Sequence, residues 1–85
     1  MISFQNFIEK NYREIEREAV LQSRHYDPRT RILAMERLSK IFESGWRPNL
    51  ANYGQIASLC QNSDPKVRLS ALKIILKFAN AYPDV

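Results

Sequence analysis

Few of the 85 residues could do chemistry. There is one histidine, His25, and one cysteine, Cys60, in different halves of the chain, with no nucleophile elbow and no glycine-rich phosphate loop. Two such groups are too few for a zinc site. Glu14, Glu16 and Glu18 alternate along a helical stretch, which points them in different directions rather than at one shared proton-transfer site. No catalysis, metal or cofactor is expected. His25 reads as a solvated or capping residue beside a turn, and Cys60, near Ile56 and Leu59, as a small hydrophobe.

What remains is charge, together with one tryptophan. The formal charge is +4, and all of the excess lies in residues 26–85, which hold nine bases against five acids. Arg29 and Lys40 recur 37 residues later as Lys66 and Lys77. Between them Glu36 corresponds to Lys73, with Arg37 beside it, and Glu36 with Lys73 is a candidate salt bridge. A row of like charge suits an acidic protein segment or a nucleic-acid backbone, and it equally suits a solvated face. Trp46, beside Arg47 and Pro48, is either an exposed anchor for a partner or a side chain folded back over neighbouring helix ends. Tyr12, Tyr26, Tyr53 and Tyr82 read as core or core-edge residues.

These residues need elements to hold them, and the elements come in two copies. Asp27 to Phe42 reads DPRTRILAMERLSKIF, and Asp64 to Ala79 reads DPKVRLSALKIILKFA. In each, Asp caps the helix that follows and Pro occupies its first turn, where a missing N–H costs nothing. Four helices are predicted. The first runs from about Phe4 to His25, with Ser3 as its cap and Phe4, Phe7, Ile8, Tyr12, Ile15 and Ala19 along one face. The second runs from Pro28 to about Ser44, stopped by Gly45, with an apolar side at Ile32, Met35, Leu38, Ser39 and Phe42. A connector from Gly45 to Pro48 leads to the third, about Asn49 to Asn62, weakened at Gly54. The fourth runs from Pro65 to about Ala81 and presents Leu69, Leu72, Ile75, Leu76 and Ala79.

Short connections make neighbouring helices antiparallel. The expectation is one all-α domain over residues 1–85, an α-solenoid of two stacked antiparallel hairpins at about 4–44 and 49–82. No apolar run is long enough to span a bilayer, and the start of the chain lacks the marks of a signal peptide. With a single cysteine, this suggests a reducing compartment, cytosolic or nuclear.

The pattern Asp-Pro-x-x-Arg-x-x-Ala, at Asp27 to Ala34 and at Asp64 to Ala71, resembles the core of a HEAT repeat. The resemblance implies a right-handed stack whose inner helices follow each Asp-Pro, close helix approach at Ala34 and Ala71, and Asp and Arg of successive copies alternating as a charge ladder. Thr30 stands where the family often has Val. A narrower resemblance, from Tyr26 to Pro83 and including Gly45, Tyr53, Gln55 and Tyr82-Pro83, is to HEAT-repeat subunits of the Integrator complex. That assembly is nuclear and processes RNA polymerase II transcripts, including small nuclear RNAs, so the resemblance implies the nucleus ahead of the cytoplasm.

The expected function is therefore a non-catalytic scaffold module contacting other subunits of a larger complex. Its candidate residues are Arg29, Arg37, Lys40, Lys66, Lys73, Lys77 and Trp46. Direct binding of RNA or DNA phosphates by the basic face is the alternative. Two hairpins are few for a solenoid, so a piece of a longer array would self-associate through its uncovered ends.

Overall fold

Aspartate caps and prolines open two of the four helices, and the chain folds around those two starts. The structure, a computed structural model, describes residues 4–84, with side chains from Asn11 onward. Every regular element among them is helical: α1 Phe4–Gln22, α2 Pro28–Glu43, α3 Tyr53–Ser58 and α4 Pro65–Ala81, with single 3-10 turns at Leu50–Asn52 and Leu59–Gln61 on either side of α3. The Ser3 cap and the core positions of Phe4, Phe7 and Ile8 lie outside the residues described with side chains. Helix α1 packs on α2, α3 on α4, and α2 on α4, so two hairpins meet through their second helices.

The two hairpin turns are near copies. Asp27 (φ −82°, ψ 119°) accepts a hydrogen bond from the Arg29 amide, and Asp64 (φ −83°, ψ 119°) accepts one from the Lys66 amide. Each Asp donates its own amide to a side chain two residues back, His25 Nδ1 at 3.0 Å and Asn62 Oδ1 at 2.9 Å. Arg31 Nη1 donates to the carbonyls of His25 and Tyr26, while Arg68 Nη1 donates to those of Asn62 and Ser63, at 2.7 and 3.1 Å and at 2.8 and 3.1 Å. The ladder expected between successive copies is thus replaced by arginines that tie each hairpin to its own turn. His25 is a capping residue, as its place beside the turn suggested, and this use as an acceptor requires a neutral imidazole.

Helix α1 ends three residues before His25 because the chain tightens there. Arg24 and His25 donate to Leu21 and Gln22 three residues back, and Ser23, fully buried, donates its hydroxyl to the Val20 carbonyl. At the far end of α2, the Gly45 amide donates to the Phe42 carbonyl and the Trp46 amide to that of Ile41. This pair of bonds is a Schellman stop, with Gly45 at φ 105° in the left-handed position that only glycine takes cheaply. The third predicted helix is the most altered. The Asn49 side chain caps the first 3-10 turn through the Ala51 amide, Asn52 turns at φ −88°, ψ −6°, and Gly54 follows, leaving α3 six residues long.

The core runs through both hairpins: Ala19 and Val20 from α1, Ala34, Met35, Leu38, Ile41 and Phe42 from α2, Ile56 from α3, Leu59 beyond it, and Val67, Ala71, Ile74 and Phe78 from α4. Ala34 and Ala71, equivalent in the repeat, are both buried, as close approach requires. Helix α4 corrects the expected face. Leu69, Leu72 and Leu76 are 55%, 53% and 59% exposed, and the buried stripe is the one through Val67, Ala71, Ile74 and Phe78. Apolar residues occur on both sides of this helix, so spacing alone does not choose between them. Ile15 of α1 is likewise turned out, at 38% exposure.

Two outcomes follow. Open space surrounds the position a Gly45 Cβ would take, so Gly45→Ala should cost about 1 kcal/mol through backbone strain alone, read as a lower urea midpoint at constant m. The hydrogen bond from the Arg29 amide, with further help from the Arg29 charge, holds the Asp27 carboxyl below its ordinary value despite some desolvation. A depressed carboxyl stabilises the fold above its unfolded-state pKa, and that contribution disappears as pH falls through the folded value. In a urea series over the acid range, Asp27→Asn should therefore lose less stability on acidification than the parent chain.

Candidate interaction surface

Stability and surface meet in the connector between the hairpins, and a residue of α1 holds it. Glu16 is 2% exposed, and its carboxylate accepts three hydrogen bonds. Oε1 receives Trp46 Nε1 at 2.8 Å, and Oε2 receives the Asn49 amide at 2.9 Å and Asn52 Nδ2 at 2.7 Å. Trp46 also lies against Tyr12, ring centroids 5.8 Å apart at 52°. The tryptophan is therefore folded back between α1 and the connector, with its one polar atom engaged inside the fold.

The connector reaches the other hairpin as well. Arg47 Nη2 donates to the Ala81 carbonyl at 3.2 Å and its guanidinium lies 4.3 Å from the Tyr82 ring centre, while the Tyr82 hydroxyl donates to the Pro48 carbonyl at 2.6 Å. Residues 46–49 thus fasten α1 to the end of α4. Among the tyrosines, Tyr12 and Tyr82 sit at the core edge, Tyr53 packs edge-on to Phe78 while 44% exposed, and Tyr26 is 87% exposed and stacked on His25.

The six basic candidates fall in three places rather than in one patch. Arg29 and Lys66 stand exposed at the starts of α2 and α4, with Arg29 Nε 3.6 Å from its own cap, Asp27. Arg37 and Lys40 line the seam between α1 and α2 with Ile15 and Ile41. Lys73 and Lys77 line the seam between α2 and α4 with Ser39, Glu43, Leu76 and Asn80. The expected Glu36–Lys73 bridge is absent: Arg29–Asp27 is the ion pair among the described residues, and the acid sharing the seam with Lys73 is Glu43.

Across the two seams only Lys40 and Lys77 are repeat equivalents, since Lys73 stands where α2 has Glu36 and Ile74 stands where α2 has Arg37, and the bases do not converge. Helix α4 carries Lys66, Arg68, Lys73 and Lys77 and no acid at all. Beside these bases stand the exposed leucines, and beyond them Leu50, Tyr53, Ile75, Phe78, Ala79 and Tyr82 line an open hollow of ≈ 290 Å³ between α3 and α4. Cationic edge, apolar strip and aromatic hollow together form a surface where charge and bare hydrocarbon adjoin along α4.

The described residues contain no group of three or more His, Cys, Asp or Glu placed to hold a metal ion, and no helix among them is long and apolar enough to cross a membrane. Cys60 is a half-buried free thiol packed against the core.

Sequence inspection missed Glu16, although a signal was present. Glu16 stands four residues after Tyr12 and three before Ala19, a charge inside the apolar stripe of α1. Glu16→Ala should cost about 2–4 kcal/mol, because three donors lose an acceptor they reach only inside the fold. Trp46→Phe, which removes one donor, should cost about 1–2 kcal/mol, and a double-mutant cycle by urea denaturation should show the two residues coupled. Comparison with known proteins finds no matching family, no similar curated protein and no similar solved structure.

Proposed function

We propose that this chain is a non-catalytic protein-interaction module, a HEAT-like pair of hairpins that serves as scaffold within a larger assembly. The observation that carries this is the duplicated turn. Equivalent residues at Asp27/Asp64 and Arg31/Arg68 make the same bonds with matching geometry, which is how a repeat unit is built. Repeat proteins stack such units to present an extended surface, and here the second helices pack on each other while Arg29 and Lys40 recur as Lys66 and Lys77.

The likeness of Tyr26 to Pro83 to a HEAT pair in the fourth Integrator subunit favours a nuclear complex acting on RNA polymerase II transcripts, with other subunits as partners. The alternative reading, direct phosphate binding, draws on the four bases and absent acids of α4.

The test is affinity capture from nuclear extract with the tagged chain, before and after nuclease treatment. A discrete protein should remain after nuclease and be lost by Arg29→Glu combined with Lys66→Glu, with helical circular dichroism unchanged. Retention of nucleic acid alone, with affinity falling steeply as salt rises, would establish the alternative instead.

A further inference from the structure

Leu69, Leu72 and Leu76 follow one another at spacings of three and four, and Ala79 continues the row, so four exposed apolar residues form a stripe about 15 Å long on α4. The opposite side of the same helix is the buried stripe of the core. A helix apolar on both sides is ordinarily covered on both.

The repeat register shows what kind of body covers such a face. The residues 37 positions earlier are Ile32, Met35, Ser39 and Phe42 of α2. There the face is covered: Met35 and Phe42 are buried, and Ile32 and Ser39 are half-buried. Helix α4 lies along it, with Phe42 edge-on to Phe78 at 6.0 Å and Ser39 in the seam beside Lys73 and Lys77. The bare face of α4 thus repeats a surface that in the preceding hairpin is closed by a helix, and its Leu76 replaces Ser39 with a larger apolar group.

Charge narrows the choice further. Lys73 is four residues from Leu69 and three from Leu76, so it flanks the stripe directly, and Lys77 adjoins it in the same seam. Glu43 of α2 is the acid across that seam, while α4 supplies none. At the other margin Ile75 and Ala79 border the hollow at Tyr53 and Tyr82, with Arg47 stacked on Tyr82 at its rim. From these placements we infer that α4 is the docking site for an acidic amphipathic helix, which lays an apolar face on Leu69, Leu72 and Leu76 and sets carboxylates against Lys73 and Lys77. One bulky side chain of that helix enters the hollow. A second copy meeting α4 to α4 would oppose bases with bases, and a nucleic acid would use the lysines while leaving the leucines bare.

This inference rests on the protein-interaction reading and names its partner class, and the experiment separates the two. The ¹⁵N-labelled full chain is titrated with two synthetic helical peptides of about 16 residues, roughly four turns, which share one leucine stripe and differ in having Glu or Lys flanks. A single-stranded oligoribonucleotide serves as the third probe. The Glu peptide should shift the amides of 69–79 and of Tyr53, and bind at least ~10-fold more tightly than the Lys peptide. Leu72→Asp with Leu76→Asp, both at exposed positions, should weaken it ~10-fold or more without loss of helicity, and Lys73→Glu with Lys77→Glu should reverse the preference between peptides.

Equal binding of both peptides, shifts confined to other elements, or RNA binding indifferent to the leucine substitutions would each overturn the inference. So would a concentration-dependent dimer that Leu72→Asp dissolves, since the occupant would then be a second copy. If α4 stays silent while Arg29→Glu with Lys66→Glu still abolishes capture of a nuclear protein, the scaffold reading stands and this site falls.

Discussion

A single carboxylate, buried at 2% exposure, joins the first hairpin to the connector that leads into the second. Burying a charge is costly unless every oxygen finds a donor, and Glu16 finds three, from the indole of Trp46, the amide of Asn49 and the side-chain amide of Asn52. The consequences spread outward from there. Trp46 is held against Tyr12, the first 3-10 turn starts where Asn49 is fixed, and Asn52 is drawn out of a regular helical path. With the connector fixed, Arg47 and Pro48 reach Tyr82 and Ala81. One acid thereby sets where the second hairpin begins, how its first helix is broken and where its last helix ends.

The repeats depend on that connector because each hairpin is otherwise self-contained. Arg31 and Arg68 spend their guanidinium bonds on carbonyls five and six residues back, so neither reaches the neighbouring unit. Coupling between hairpins then rests on the apolar contact of α2 with α4, on Phe42 against Phe78, and on the residues that follow Gly45. Here the units close through local bonds, and the interface is one helix pair with a polar clasp at its side.

What the sequence made legible follows the same division. The Asp-Pro caps, the Gly45 stop and the ends of α2 and α4 were readable because each is decided within a few residues, by a missing N–H, a short acceptor side chain or a positive φ. Glu16 was not, since its partners lie 30 to 36 positions away. The correct observation that Glu14, Glu16 and Glu18 point different ways did not say which one points inward. Phase failed in α4 for a different reason: with leucines, isoleucines, alanines and a phenylalanine around most of its circumference, two stripes compete. Val67, Ala71, Ile74 and Phe78 win because α2 and α3 arrive on that side. For the basic residues, the register between copies was readable, and their distribution into separate seams required the packing of three helices.

The losing stripe in α4 bears on how this surface can evolve. Leu69, Leu72 and Leu76 add nothing to the core of these residues, since the opposite face supplies it. Polar replacements there would remove an exposed apolar strip without opening a cavity, at little cost to the hairpin itself. These side chains lie beside Lys73 and Lys77 on a helix that carries no acid, so the strip and its flanking charge can change without touching the core. The buried stripe of α4 serves the fold, and the exposed one is available to a partner.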